Sequence, residues 1–181
     1  MTEELEVLGI VAERLEGAGI AYMVTGSIAM SYYAVPRMTR DIDVVVELVP
    51  GDVERVLAVF GEDFYVDADA ARLAVADRAS FNLIHDRLVV KVDFIVRKDT
   101  EYRREEFRRR RRVEVDTQTI TLVAPEDLII SKLDWARASR SQVQLADVRN
   151  LLTAGIDLDH GYISQWVDHL DLGALYREAA G

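Results

Sequence analysis

The segment Gly26 to Val46, GSIAMSYYAVPRMTRDIDVVV, constrains the fold more than any other part of this 181-residue chain. It follows an apolar run, Ile20 to Thr25, that reads as a strand, and it breaks that strand at a Gly-Ser pair. Ile28 to Ala34 then reads as a short helix starting at a Ser cap, and Ile42 to Val49, after the Pro36 turn, is β-branched and reads as a second strand. Gly26 permits close approach of backbone to a ligand. Ser27 brings a hydroxyl to a helix start whose unpaired N–H groups and positive dipole end suit phosphate oxygens, although most Gly-Ser pairs are plain turns.

The remaining chain continues this alternation. Leu5, Leu8, Val11, Ala12 and Leu15 recur at three and four, so Glu3 to Leu15 is an amphipathic helix ended by Gly17 and Gly19. Pro50-Gly51-Asp52 is a turn into a helix, Val53 to Phe60, and a further helix is expected over Ala68 to Ala76. Phe81 to His85 and Leu88 to Val96 read as a strand pair around Asp86-Arg87, as do Val113 to Val115 and Thr119 to Val123. Beyond Pro125 the pattern is helical: Glu126 to Ala138, Val143 to Leu152, Tyr162 to Leu170 and Leu172 to Ala179. The fold class is therefore α/β (α+β): a mixed sheet flanked by helices over residues 1–123, and a C-terminal helical cap over 124–181, with the seam near Ala124.

Half of the residues are apolar and none is cysteine, which gives one globular domain with a real core. It also excludes disulfides, thiolate metal sites and a cysteine nucleophile, and makes a cytoplasmic protein the default expectation. The acidic start MTEELEVLGI does not read as a secretory signal, and no apolar run approaches the roughly 18 residues of a membrane span. A net charge of -10 disfavours loose binding to nucleic acid or anionic lipid. Arg97 to Arg112 reverses that locally, with eight Arg and one Lys against four acids. Such an island could receive a phosphate-rich partner, with Arg108 to Arg112 as its densest part, or could be a solvated helix paired at Glu105 to Arg109 and Glu106 to Arg110.

The chemistry concentrates in acids placed on apolar strands. Asp41 and Asp43 are two apart, so their side chains leave one face about 6 to 7 Å apart along the backbone and can converge on a hard cation. Asp93 lies inside the apolar run VKVDFIV, where an acid is costly to bury unless it binds a cation or accepts hydrogen bonds. On a neighbouring strand it would give a third ligand and a general base for an acceptor hydroxyl. Lys91 shares its face, and a plain Lys91 to Asp93 ion pair is the competing reading. His85, His160 and His169 are too scattered for a metal site. Tyr32, Tyr33, Trp135 and Trp166 read as core packing.

Together these motifs resemble the DNA polymerase β-type nucleotidyltransferase superfamily. Its pattern of a hydrophobic residue, Gly, Gly or Ser, a spacer, then Asp, hydrophobic, Asp or Glu, hydrophobic, corresponds here to Thr25, Gly26, Ser27, thirteen residues, and Asp41-Ile42-Asp43-Val44. Only Thr25 departs from it. The later-strand carboxylate matches Asp93. A second segment, Ala124 to Leu152, is similar to the helical region of bacterial AbiEii-type and minimal nucleotidyltransferases, some of them toxins of toxin-antitoxin pairs, through Lys132, Arg137 or Arg140, and Asp147.

The resemblance implies a nucleotidyltransferase that moves a nucleoside monophosphate from an NTP co-substrate to a hydroxyl and releases pyrophosphate. Asp41, Asp43 and Asp93 would hold Mg²⁺ or Mn²⁺, with Asp93 also the base. Gly26, Ser27, Lys132 and Arg40, and less so Arg37, would hold the triphosphate. Asp147 would orient Lys132 or, with Arg137, lie near the acceptor; the plainer alternative is a structural Lys132 to Asp147 pair. The acceptor implied is RNA such as a tRNA end, or protein, in a toxin with a cognate antitoxin and no membrane partner. Two other readings stand beside it. Met38 to Asp43 also resembles the aminoglycoside and lincosamide nucleotidyltransferases, whose polycationic substrates would suit an acidic chain, and a non-catalytic binding module of the same fold is the third.

Overall fold

The computed structural model describes residues 2–36, 41–139 and 141–181. The first helix, α1 (Glu3–Gly17), is capped by Thr2, whose hydroxyl accepts from the Leu5 N–H, and it buries Val7, Leu8, Val11, Ala12 and Leu15 as the three-and-four spacing predicts. The strands are β1 (Tyr22–Val24), β2 (Asp41–Val46), β3 (Phe64–Val66), β4 (Ser80–His85), β5 (Lys91–Val96), β6 (Arg111–Val115) and β7 (Gln118–Leu122). They form one sheet in the order β3-β4-β5-β2-β1-β7-β6. The β2–β5 and β1–β7 pairs are parallel and the others antiparallel, so the mixed sheet expected from the sequence is present.

Alternation decides which side chains leave each face. In β2, Ile42, Val44 and Val46 are fully buried, and in β5 so are Val92, Phe94 and Val96. Around Phe94, Phe60 and Phe81 meet its ring edge-on at 5.6 and 5.5 Å, and Phe64 meets Phe60 at 5.4 Å. The helices α3 (Val53–Phe60) and α4 (Ala68–Asp77) pack on β3 and β4, and α1 packs on β2 and β7. The helix α2 (Gly26–Tyr33) packs on β2 and also meets two helices of the C-terminal part, α6 (Pro125–Ser139) and α7 (Gln142–Thr153). Among the described residues no helix is long and apolar enough to cross a membrane.

Two local expectations change. Helix α2 begins at Gly26 with Thr25 in the cap position, and not at a Ser cap. The Thr25 N–H is held at 2.9 Å by the Asp43 carbonyl, so the sheet extends through Thr25, and Gly26 at φ +63° starts the helix at once. Strand β5 starts at Lys91 rather than Leu88, because Val89 takes a left-handed conformation and the turn is closed by His85, whose Nδ1 accepts from the Leu88 N–H at 3.2 Å. The short edge strand β3 has no sequence expectation behind it; its three residues are too few for an alternation to show.

The arginine island divides among three settings. Its middle forms α5 (Glu101–Arg108), which ends too early for the expected Glu105 to Arg109 and Glu106 to Arg110 pairs. Glu105 takes Arg108 instead, at 2.6 Å, while Arg109 leaves the helix and reaches Asp127 and Glu126, each at 3.0 Å. Arg103 joins Glu106 and Asp134, both at 2.9 Å. Arg111, in β6, reaches Glu126 at 3.3 Å, and Arg110 lies over the Phe107 ring at 4.2 Å. Asp127, wholly buried in the first turn of α6, also accepts from the Tyr162 hydroxyl at 2.6 Å, and Tyr162 belongs to α8 (His160–His169), which precedes α9 (Gly173–Ala180). Burial pushes the Asp127 carboxyl up to about 6, against the hydrogen bonds from Tyr162 and Arg109 that pull it down. Removing the arginine leaves that carboxylate buried beside Glu106 and Glu126. Arg109→Met is therefore expected to destabilise the protein by about 3 kcal/mol at pH 7, measured by urea unfolding.

Candidate active site

The parallel pairing of β2 with β5 is in register, so that Asp41 lies opposite Lys91 and Asp43 opposite Asp93. Neighbours across a sheet share a face, and the four side chains form two adjacent rows on the face opposite Ile42, Val44 and Phe94. The loop that closes β1 presses on this corner. A Cβ built on Gly26 would stand 2.0 Å from Asp43 Oδ2, so the glycine backbone lies directly against the carboxylate. Gly26 and Asp43 are thus required together: one to admit the other.

Asp43 has its carboxyl pushed up to about 6, first by burial and then by the charges of Asp93 and Asp41, with Lys132 and Lys91 acting the other way. Lys91 Nζ is 2.9 Å from Asp93 Oδ2 and 3.7 Å from Asp41 Oδ2. The Asp93 hydrogen bond holds its ammonium above the usual lysine value, against partial desolvation. The Lys91–Asp93 pair weighed from sequence is therefore present, and it sits among all three acids rather than apart from them.

The second cation comes from α6. Lys132 is 6% exposed and donates to Asp147 Oδ2 at 2.8 Å and to Gln144 Oε1 at 3.1 Å, both on α7. Its charge acts on Asp43, which ties this helical pair to the carboxylate cluster. The Lys132–Asp147 pair weighed from sequence is therefore present. Arg137 is not brought to the site: its guanidinium is held by Asp134 and by the Leu170 carbonyl at 2.8 Å, a brace between α6 and the end of α8. Ser27 lies in the first turn of α2, next to Gly26. Arg37, Arg40 and Arg140 lie outside the described residues.

Two readings of aromatic residues are corrected. Trp166 is buried, but Tyr32 and Trp135 are 44% and 57% exposed, because each falls on the outer side of a helix whose opposite side carries the core contacts. Gln144 was not foreseen; no motif marks it, and only the packing of α6 on α7 puts it beside Lys132. Asn82, opposite Asp93 on β4, was likewise unmarked because register is invisible in sequence.

The donor set suits a hard divalent cation: three carboxylates on one face of adjacent strands, at a point where burial and mutual repulsion leave Asp43 short of positive charge. Among the described residues, however, no three His, Cys, Asp or Glu side chains converge closely enough to hold an ion as they stand. The Lys91 ammonium is the charge that lies between them.

No protein-family model matches the chain, and no curated protein matches it. Solved structures do. An antigenic nucleotidyltransferase-like protein from Paracoccidioides brasiliensis is similar at a TM-score of 0.59 with 17% identity, over 97% of this chain and 93% of that one. The antibiotic-resistance factor ANT(2'')-Ia is similar at 0.57 with 14% identity, over 96% and 91%. The lincosamide antibiotic adenylyltransferase LnuA, solved with lincomycin bound, is similar at 0.56 with 13% identity, over 85% and 98%. The chain therefore has the nucleotidyltransferase fold.

Two outcomes follow from the crowding at Asp43. Gly26→Ala puts a methyl group into that carboxylate at a left-handed backbone position, and is expected to lower stability by about 2 kcal/mol or more in urea unfolding. Asp43→Asn is expected to do the reverse in protein kept in chelator. A carboxyl raised from 3.8 to about 6 binds more protons folded than unfolded, so its cost is absent below pH 4, grows between pH 4 and 6, and is complete above 6. The variant should be more stable than the parent by about 1–3 kcal/mol at pH 7.5 and equal to it near pH 3.5 in thermal melts.

Proposed function

We infer that this protein is a divalent-metal-dependent nucleotidyltransferase, and the observation that carries the reading is Asp43 set opposite Asp93 with the Gly26 backbone against it. Asp41, Asp43 and Asp93 would hold Mg²⁺ or Mn²⁺, which when bound neutralises phosphate charge and polarises the α-phosphorus of an NTP. Gly26 and Ser27 present the N-terminal N–H groups of α2 to phosphate oxygens. Lys132, held straight by Asp147 and Gln144, offers a fixed ammonium to the triphosphate. Asp93 takes the proton from the acceptor hydroxyl as its oxygen attacks the α-phosphorus. The bond from that phosphorus to the bridging oxygen breaks, and pyrophosphate leaves with the electron pair.

Of the acceptors, a small hydroxylated molecule has the better support. The arginine run that an RNA acceptor would use is partly committed within the chain: Arg103 and Arg109 are held by acids of the same chain, while Arg104, Arg108, Arg111 and Arg112 pair weakly at the exposed surface. Two of the similar structures are antibiotic-modifying or antibiotic-resistance proteins of nearly the same length. An RNA end or a protein side chain, and a toxin role with a cognate antitoxin, rest on the resemblance of Ala124 to Leu152.

The test is transfer of label from each α-labelled NTP, with Mg²⁺, into a panel of aminoglycosides and lincosamides and into a cell extract. Pyrophosphate release coupled to a labelled small product is expected, lost in Asp43→Asn and Asp93→Asn and lowered about 100-fold in Lys132→Met. Label lost to nuclease or to protease would move the acceptor to RNA or protein. Release no greater than that of Asp43→Asn with every NTP would remove the enzymatic reading and leave a binding module.

A further inference from the structure

The candidate site contains two lysines in opposite mechanical states. Lys132 is buried, with its ammonium fixed by two side chains of α7. Lys91 is 37% exposed at its side chain, hydrogen-bonded to one carboxylate and leaning toward another. A partly exposed ammonium on a four-carbon stem contributes little to stability and moves easily. Yet its position is specific. It stands in the row of Asp41 and reaches back into the row of Asp93, so its charge lies between two of the three acids that would bind a cation. A divalent ion held by these carboxylates would meet an ammonium already 2.9 Å from Asp93 Oδ2, and the two positive charges would compete for that oxygen.

The geometry points to Lys91 as a placeholder cation, which occupies the metal position in the metal-free protein and must release Asp93 before a divalent ion can enter. This rests on the nucleotidyltransferase reading above and adds a positioning role that the reading does not contain. Without Lys91, the repulsion that Asp41 and Asp93 exert on Asp43 would be opposed chiefly by Lys132, which is already committed to Asp147. With it, part of that repulsion is offset while no ion is bound. The price is competition: every ion bound displaces one ammonium, so the free protein binds metal more weakly than its three carboxylates would alone. The displaced ammonium, still on the same face, is then available to an anionic triphosphate, which favours joint entry of metal and nucleotide.

The experiment is Mn²⁺ binding followed by the loss of the free-ion paramagnetic resonance signal, without nucleotide, for the parent protein, Lys91→Met, Lys91→Arg and Asp93→Asn, with thermal melting of each in chelator and in saturating Mn²⁺. Lys91→Met is expected to bind Mn²⁺ about fivefold tighter or more, the size of one partly exposed ion pair. It should also melt lower than the parent in chelator and recover in Mn²⁺. Lys91→Arg, which keeps the charge, should bind like the parent. Lys91→Gln serves as the second neutral variant if the Met protein does not fold. Equal or weaker binding by the neutral variants, with binding by the parent and its loss in Asp93→Asn, would overturn the placeholder while leaving the metal site intact. Mn²⁺ binding that is absent from the parent and from the neutral Lys91 variants alike, or unaffected by Asp93→Asn, would remove the metal site and the placeholder with it.

Discussion

The pairing of β2 with β5 brings Asp43 and Asp93 side by side, and the rest of the site is arranged around the repulsion this creates. Parallel strands on a buried sheet are specified by their apolar face, here Ile42, Val44 and Val46 against Val92, Phe94 and Val96. A slip of one residue would turn the acids into that core, where an unpaired carboxylate costs several kilocalories per mole. The same hydrophobic pattern that makes the core thus fixes which acids meet. Their repulsion is a local instability that a fold has no reason to keep unless the charges are used.

The cations that balance this corner are held from different directions. Lys91 belongs to the sheet itself. Lys132 comes from α6, whose axial position is set at its first turn by Glu126 and Asp127, buried among Arg109, Arg111 and Tyr162. Further along the same helix, Lys132 emerges beside α7, where Asp147 and Gln144 hold it. The ionic network at the helix start is therefore a positioning device at a distance. Rigid helix geometry carries its placement to Lys132, and α2, packed on both α6 and α7, links that placement to Gly26.

Much of this was legible in the chain and some could not have been. The alternating apolar positions of β2 and β5, the spacing from Gly26 to Asp41, and the helical period of α1, α3 and α6 are local patterns, and they survive in the structure with shifts of a few residues. The acid of VKVDFIV stood out because it interrupts an apolar strand. What sequence lacked was pairing across elements. The cross-strand neighbours of Asp93, Asn82 on one side and Asp43 on the other, cannot be read without register. The arginine run is in part the self-paired segment expected, through Asp99, Glu105 and Glu106. Its other partners, Glu16, Glu126, Asp127 and Asp134, come from α1 and α6, and only folding brings them there.

That internal pairing changes what the acidity of the chain means. With many of its arginines answered by acids nearby, the protein presents a polyanionic substrate with a field of the wrong sign, which reaches out to about a Debye length, roughly 8 Å at physiological salt, before salt screens it. On the nucleotidyltransferase reading proposed above, capture of a triphosphate would not depend on steering and would come from short-range groups: the N–H groups at the start of α2, Lys132, and a metal ion arriving with the nucleotide as a less negative complex. On the same reading that field would favour a cationic or neutral acceptor over a nucleic acid, since a molecule carrying amines is drawn toward a surface from which phosphates are repelled. On that reading, net charge would act on the acceptor through its field, while the contacts within a few ångströms of Asp43 would act on the nucleotide and its metal ion.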